Sequence, residues 1–176
     1  MEKLTINQAI LKVAELERNY RYKSPNVINR KKASITYILE LDGKRFDCDE
    51  KFDFKNELNE LISLSQDIEK IKTAISYANN TTEIEVNNEK ISIQGALNKV
   101  KILRELSYEL EGLLENVKVS KERKVDAAAT SVYYKVTELN FNREEMESMI
   151  KQMNNQILEL EVAINKANNE TFIEIK

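Results

Sequence analysis

The phrase AISYANNTTEIEV, residues 74–86, returns in altered form as AINKANNETFIEI, residues 163–175. In both copies, two alanines four positions apart precede a pair of asparagines, and alternating apolar and acidic residues follow. Asparagine tolerates the left-handed backbone that ends many helices, so residues 79–80 and 168–169 are predicted to terminate a helix. The alternation that follows predicts a short strand with one apolar face. The phrase therefore predicts a corner at which a helix ends and a strand begins.

Apolar residues extend each copy backwards in steps of three and four, which is the spacing of one helix face. The first row matches the second at a constant separation of 89 positions: Leu61, Leu64, Ile68, Ile71, Ile75 and Ala78 with Ile150, Met153, Ile157, Leu160, Ile164 and Ala167. These rows predict long helices over about 55–79 and 142–168, each with a heptad-like apolar stripe.

A second match joins the beginnings of two larger repeats. EKLTINQAILKVAEL, residues 2–16, is similar to EKISIQGALNKVKIL, residues 89–103, at a separation of 87 positions. The economical explanation is a duplicated unit of about 88 residues that contains a shorter helix, a variable middle and a longer helix. We therefore expect one domain, 1–176, made of two repeats over about 1–88 and 89–176.

Short β-hairpins are predicted between the helices. EIEV-NNEK-ISI reads as a hairpin that leads into the third helix and places Glu85 opposite Ser92. If the two repeats are related by an approximate two-fold axis, the terminal strands form the same antiparallel pair, within one chain or between two, with Glu174 opposite Thr5. ITYILELDGKRFD carries the Asp-Gly signal of another hairpin, which SVYYKVTELNF in the second half lacks. The predicted fold class is mainly α, with antiparallel long-helix, coiled-coil-like hairpins and short β-hairpins.

The chain resembles a family of small helical bacterial proteins described as septicolysin-like. The resemblance rests on AISYANN at a helix end, on EVNNEKISIQGAL before a helix, on the following KILREL and on LEVAINKANN, within residues 68–106 and 139–168. It implies an antiparallel helical protein and supplies no defined active site or substrate class. The Asp-Gly hairpin of the first half departs from the family pattern. Although the family name suggests a lysin, the sequence offers no export signal.

Composition predicts a helical protein of the cytoplasm. Charged residues make up 32 % of the 176 residues, and there are only 3 Gly and 1 Pro, a balance typical of long surface-exposed helices. No apolar run has the length of a bilayer span or of a signal peptide, so no membrane association is expected. The lone Cys48 excludes an intramolecular disulfide and suits a reducing compartment.

The sequence predicts neither an enzyme nor a cofactor site. The chain contains no His, which removes the usual general base and the commonest metal ligand, and 3 Gly cannot form a phosphate-cradling loop. The acidic stretch DCDEKFD, residues 47–53, lacks the spacing of a calcium loop and is interpreted as a solvated loop that precedes and caps the second helix. Rings near the variable middles are interpreted as core: Tyr37, Phe46, Phe52, Phe54 and Phe141.

Each half carries a basic stretch after its shorter helix, which is interpreted as a duplicated basic loop. The residues that could contact phosphates or an acidic partner are Arg18, Arg21, Lys23, Arg30, Lys31, Lys32, Lys118, Lys121, Arg123 and Lys124. Tyr20, Tyr22, Tyr133 and Tyr134 could add stacking groups. Nucleic-acid binding through these loops is the alternative function, and it is not favoured because the net charge is −3. The favoured function is a non-catalytic interaction protein that forms homo-oligomers through apolar stripes that include Met146, Met149 and Met153. The sequence does not identify a further protein partner.

Overall fold

A computed structural model describes residues 2–48, 52–126 and 131–175. Within these ranges the protein is mainly helical, with short antiparallel strand pairs. The elements, in chain order, are β1 (Glu2–Thr5), α1 (Ile6–Val27), β2 (Tyr37–Leu39), β3 (Arg45–Asp47), α2 (Phe54–Thr81), β4 (Glu83–Val86), β5 (Glu89–Ser92), α3 (Ile93–Asn116), β6 (Ser120–Asp126), β7 (Ser131–Thr137), α4 (Arg143–Glu170) and β8 (Phe172–Ile175). No described helix combines the length and the apolar character that crossing a bilayer requires.

The chain forms two compact units. Unit 1 consists of Met1–Thr82 together with Ala167–Lys176, and unit 2 consists of Glu83–Lys166. Unit 1 therefore combines the first two helices with both terminal strands, whereas unit 2 contains α3, the ribbon of β6 and β7, and most of α4. The C-terminal strand therefore belongs to the same unit as the N-terminal helices.

In unit 1, helices α1 and α2 run antiparallel. Lys23, near the end of α1, pairs with Glu57 and Glu60, near the start of α2, while Glu17 pairs with Lys72 further along α2. The predicted apolar row of α2 is buried or half-buried along its whole length. The buried apolar side chains of this unit are Ile6, Ala9, Val13, Val27, Leu61, Ile71, Ala78 and Ile173.

In unit 2, helices α3 and α4 also run antiparallel. Arg104 pairs with Glu161, the Ser107 hydroxyl lies 2.9 Å from Asn154 Oδ1, and Arg143 donates to the Leu114 carbonyl at 3.1 Å. Ser107 is 4 % exposed, so this hydroxyl contact is a polar contact within the helix interface. The buried apolar side chains of this unit are Ile84, Ile93, Ala96, Val100, Leu114, Ile150, Ile157, Leu160 and Ile164.

Side-chain caps set the starts of three helices. Thr5 accepts from the Gln8 amide at 3.2 Å while Gln8 accepts from the Thr5 amide at 2.9 Å, which is a complete capping box. Ser92 accepts from the Gly95 amide at 3.1 Å, and Asp53 accepts from the Asn56 amide at 3.1 Å. Asp53 thus confirms the predicted capping of α2 by the acidic stretch, and Ser92 caps α3.

The prediction that the asparagine pairs end the helices in a left-handed conformation is wrong. Helix α2 continues to Thr81 and α4 to Glu170. The Thr82 and Thr171 amides still donate to the carbonyls of Ala78 and Ala167, each at 2.8 Å, so helical bonding continues past the asparagines. Among the described non-glycine residues, positive φ occurs at Asn87 and Asn88, in the turn between β4 and β5. A two-residue hairpin turn requires positive φ at both positions, which explains why asparagine is needed there.

The asparagines inside the helix ends bury two side-chain oxygens. Asn79 and Asn168, 89 positions apart, each bury a side-chain oxygen that accepts no hydrogen bond from the described residues. A buried carbonyl without a partner is destabilising, because the water that it loses is not replaced. The repeated phrase therefore places the same destabilising feature at both helix ends.

The strand pairs form as predicted, but both registers differ from the predicted ones by two residues. Glu85 lies opposite Lys90, not Ser92, and Glu174 lies opposite Lys3, not Thr5. The two-residue turn forces Val86 to pair with Glu89, and the helix begins at Ile93, so the strand ends at its capping residue. The terminal strands pair within one chain in the corresponding way, and the Ile6 amide extends their ladder to the Thr171 carbonyl at 3.0 Å.

The variable middle of each half contains a β-hairpin. Strands β2 and β3 pair Ile38 with Phe46, and the Gly43 amide donates to the Glu40 carbonyl at 2.9 Å across a turn in which Gly43 has φ of 87°. This confirms the hairpin predicted from Asp-Gly. In the second half, β6 and β7 pair from Ser120 opposite Thr137 to Asp126 opposite Ser131. This longer hairpin forms without an Asp-Gly turn signal in its sequence.

A disulfide across the terminal strands will test the observed register. Lys3→Cys and Glu174→Cys, introduced into a Cys48→Ser chain, are expected to oxidise to a cross-linked monomer. These positions are direct partners in a pair that lacks mutual backbone hydrogen bonds, where Cα atoms lie within disulfide reach. The control pair Thr5→Cys and Glu174→Cys is two residues out of register and should oxidise more slowly. Non-reducing gel mobility and mass spectrometry distinguish the products, and faster oxidation of the control pair would contradict the register.

Removal of the Ser92 cap should weaken unit 2. Ser92→Ala leaves the Gly95 amide without its acceptor, and we expect a loss of about 1 kcal/mol in the free energy of unfolding. Ser76→Ala, at an exposed position within α2, is the matched control and should change this free energy by less than about 0.5 kcal/mol. Urea denaturation measures both values. Equal effects would show that Ser92 does not act as a cap.

Candidate interaction surfaces

The basic residues of the first half lie partly on a helix, which corrects their prediction as one loop. Arg18, Arg21 and Lys23 belong to α1, because this helix continues to Val27, with Pro25 in its last turn. The remaining three, Arg30, Lys31 and Lys32, follow the helix. Arg18 and Arg21 lie three positions apart on one side of α1, whereas Lys23, two positions after Arg21, lies on another side.

Lys23 forms ion pairs with two carboxylates inside unit 1. Its ammonium forms ion pairs with Glu60 and, at 3.1 Å, with Glu57. The hydrogen bond to Glu60, followed by that to Glu57, raises the pKa of Lys23 above its ordinary value. The hydrogen bond from Lys23, with the accompanying charge attraction, holds the pKa of Glu60 below its ordinary value. Lys23 thus joins α1 to α2, and its charge is not available to a phosphate without breaking these pairs.

The other basic residues of the first half differ in their surroundings. Arg21 pairs with Glu17 at 3.7 Å, and the Lys32 ammonium lies 4.6 Å from the centre of the Phe52 ring. No ion pair within the described part of the chain involves Arg18, Arg30 or Lys31. Among the described residues, none compensates the charge of these last three at the surface of unit 1.

The basic residues of the second half lie mainly on a strand. Lys121, Arg123 and Lys124 belong to β6, and Lys118 immediately precedes it, so the predicted basic loop is corrected to a β-hairpin. The hairpin forms because β-branched and aromatic residues of β7 pair with this segment. Lys124 pairs with Glu122 at 2.8 Å, and the Lys121 ammonium lies 4.9 Å from the centre of the Tyr134 ring.

The antiparallel ladder sorts this hairpin, here named the basic ribbon, into two faces. Directly opposed residues share a face, and residues two apart along a strand share it too. The pairs Lys121 with Val136, Arg123 with Tyr134 and Val125 with Val132 therefore form one side, here named the basic face. It carries two cations and no carboxylate, and its apolar members are 48–67 % exposed. The arrangement can bind an acidic or apolar partner surface.

The hairpin of β2 and β3 is also exposed, and it contradicts part of the predicted core. Tyr37 is 47 % and Phe46 50 % exposed, whereas Phe52, Phe54 and Phe141 are half-buried. The Arg45 guanidinium stacks 4.0 Å from the Tyr37 ring centre and pairs with Asp47 at 2.8 Å. These rings belong to a two-stranded ribbon with no second layer, so they cannot be enclosed by the hairpin itself.

Each unit also has an open groove between a strand and a helix. In unit 1, β8 and the second half of α2 border a groove of about 910 Å³ that contains Thr73, Ala74 and Tyr77. In unit 2, β4 and α4 border one of about 560 Å³ that contains Leu158 and Val162. Asn87 donates to Glu159 at 2.8 Å across the second groove and fixes the end of its strand.

The described residues contain no cluster of three or more potential metal-ligating side chains of the His, Cys, Asp and Glu types. Of the acidic stretch, Asp47 pairs with Arg45 and Asp53 caps α2, while Asp49 lies outside the described residues. Comparison of the chain with protein-family models, with curated proteins and with solved structures found no match. The arrangement of the chain's own surfaces is therefore the basis for a functional proposal.

Sequence reasoning missed the apolar exposure of the two hairpins. Its signal was nevertheless present, since Ile38 and Leu39 are consecutive in β2, as are Tyr133 and Tyr134 in β7. Consecutive apolar residues in a strand point to opposite faces, so a two-stranded ribbon must expose at least one of them. The same alternation could have placed Lys121 and Arg123 on one face.

The pKa shifts around Lys23 predict a pH-dependent helix pair. Because the pKa of Glu60 is lowered, its contribution to stability is present above 4.5 and is lost as the pH falls through the folded value. Because the pKa of Lys23 is raised, its contribution is present below 10.5 and is lost as the pH rises through its folded value. Lys23→Met should move the Glu60 pKa upwards towards 4.5. Carboxyl-carbon NMR titration measures this, with Lys12→Met as a control that leaves Glu60 unchanged. An unchanged Glu60 titration in Lys23→Met would contradict the ion pair.

Proposed function

We propose that this chain is a non-catalytic structural protein that associates with copies of itself. The observation that carries the proposal is the concentration of exposed large apolar side chains on and beside two hairpins. They are Ile35, Tyr37, Ile38, Leu39, Leu41 and Phe46 around β2 and β3, and Val119, Val125, Val132, Tyr133, Tyr134 and Val136 around β6 and β7. Each of these side chains is 47 % exposed or more.

The physics of isolated hairpins supports association. A two-stranded hairpin is marginally stable in water because it has no second layer against which to bury an apolar face. Contiguous exposed apolar surface on a protein usually marks an interaction site. Covering these residues would stabilise by roughly 25 cal/mol for each Å² of apolar surface removed from water. A second copy is the economical partner, since every copy carries the same unsatisfied surfaces.

The proposal includes an internally duplicated architecture. We interpret the order β-α-β-β-α-β, which occurs twice, as two repeats of coiled-coil-like helical hairpins. Support comes from the helix caps Thr5 and Ser92, 87 positions apart, and from the buried residues Leu61 and Ile150, 89 positions apart. Duplication gives each copy two related hairpins, and therefore two association surfaces.

The remaining parts of the proposal rest on sequence. The absence of His from the chain supports a role without acid–base catalysis. The motifs AISYANN and LEVAINKANN support a septicolysin-like, bacterial origin, and the lone Cys48 supports residence in the cytoplasm. In this proposal, self-association depends on the exposed hairpin surfaces and requires no cofactor.

Light scattering of the full chain tests the proposal. We expect a mass above that of one 20.5 kDa chain at micromolar concentration, falling towards the monomer on dilution into the nanomolar range. A variant with Ile38→Ser and Val132→Ser loses apolar surface from both hairpins. It should dissociate at a higher protein concentration than the parent chain does. A strict monomer at every concentration would refute self-association.

A further inference from the structure

We propose that two copies of this chain dock through unlike hairpins: the β2–β3 hairpin of one copy packs on the basic face of the ribbon of another. The inference rests on the proposed self-association and specifies which surfaces meet. In a two-fold dimer each copy would supply both surfaces, so the contact would form twice. Complementary charge and matching exposed apolar residues select this pairing over contacts between like hairpins.

The two hairpin segments carry opposite charge. Residues 37–47, from the start of β2 to the end of β3, contain three acidic and two basic residues, an excess of one negative charge. Residues 118–137, which include β6 and β7, contain five basic and two acidic residues, an excess of three positive charges. Like segments therefore repel each other, whereas unlike segments attract.

Ion pairs within each hairpin neutralise some of its charges and leave a carboxylate on the β2–β3 hairpin and cations on the ribbon. In the β2–β3 hairpin, Lys44 pairs with Asp42 and Arg45 with Asp47, each at 2.8 Å, so both of its cations are already compensated. Within the described part of this hairpin, Glu40 is left without an ion pair. In the ribbon, Lys124 is compensated by Glu122, while Lys121 and Arg123 form no ion pair with described residues. An acceptor carboxylate on one hairpin thus matches donor cations on the other.

The apolar residues fit the same pairing. Ile38 and Phe46 are direct cross-strand partners and form a patch on one face, with exposures of 59 % and 50 %. Glu40 lies two positions beyond Ile38 and Lys44 two positions before Phe46, so both share that face, on which the Lys44 charge is already paired with Asp42. On the basic face, Val125 and Val132 form a cross-strand pair adjacent to Arg123. Packing the two patches together brings Glu40 to the side of the ribbon that carries Lys121 and Arg123.

Neighbouring basic residues provide a matched control. Arg30 and Lys31 precede the β2–β3 hairpin and lie outside both docking surfaces. If general attraction between charged molecules drove association, reversing these two charges would matter as much as reversing two charges on the ribbon. If hairpin docking drives it, only the ribbon substitutions matter.

The experiment is a charge exchange measured by sedimentation equilibrium of the full chain. The ribbon variant carries Lys121→Glu and Arg123→Glu, and the hairpin variant carries Glu40→Lys and Asp47→Lys, which also frees Arg45 from its ion pair. Each variant alone now has two hairpins of like sign, so we expect dimerisation to weaken at least about tenfold. An equimolar mixture of the two should restore it, and so should one chain that carries all four substitutions. The control, Arg30→Glu and Lys31→Glu, should associate as the parent does, and circular dichroism checks that all variants are folded.

The outcomes separate this inference from the proposed function. A parent chain that never associates overturns both. A parent that associates, with variants that associate equally well, keeps self-association and overturns the hairpin docking. Failure of both the mixture and the four-substitution chain to recover also overturns it, because complementary charge would then play no part. The docking is overturned as well if the ribbon substitutions leave association intact but abolish salt-dependent binding of a labelled 20-nucleotide single strand, which would assign the basic face to nucleic acid.

Discussion

The pairing of the first strand with the last is the constraint on which unit 1 depends. Leu4 lies opposite Ile173, and the Ile6 amide bonds to the Thr171 carbonyl, so the two chain ends form one ladder. Ile6 is 0 % exposed and Ile173 is 6 % exposed, which places this ladder at the edge of the apolar interior. Chain ends usually fray, and pairing them satisfies backbone groups that an unpaired strand edge would leave open. The constraint also explains why the C-terminal segment belongs to a unit made mostly from the N-terminal half.

Apolar surface is distributed unequally along the helices and the hairpins. The helical rows around Ile71 and Leu160 are buried, because antiparallel neighbours with interhelical ion pairs and hydrogen bonds cover them. Within the described part of the chain no helix covers the hairpins in this way, and Leu41 at a hairpin turn is fully exposed. The same residue types are therefore structural in one place and available for contact in another. The candidate interaction surfaces arise from this difference in cover.

The asparagines show how local preference and tertiary structure can compete. Asn87 and Asn88 adopt the left-handed backbone that their side chains tolerate, and they turn the chain in two residues. Asn79 and Asn168 remain helical although each buries an oxygen without a partner. Continued helical hydrogen bonding from Thr82 and Thr171 outweighs the left-handed preference at those positions. Asparagine alone therefore does not locate a helix end.

Much of the local structure could be predicted from the sequence. Apolar spacing determined the two long helices to within two residues at each end, Asp-Gly determined the first hairpin, and the acidic stretch before α2 predicted its cap. These features depend on neighbours in sequence, where periodicity and capping chemistry act. The candidate residues were also identifiable by type, since Lys121 and Arg123 are basic wherever they lie.

Tertiary structure decided what those residues face. To predict the two strand registers, one must know the residues at which the turn and the helix cap end each strand. A shift of two residues changes every cross-strand partner. Lys23 became an interhelical ion-pair partner because α2 brings Glu57 and Glu60 beside it, which a single stretch of sequence does not show. The sequence also did not determine the exposure of Phe46, because an aromatic residue is buried only if another element covers it. Composition and spacing determined the two long helices and the first hairpin by themselves, whereas burial, register and the partner of each charge were decided only when distant segments met.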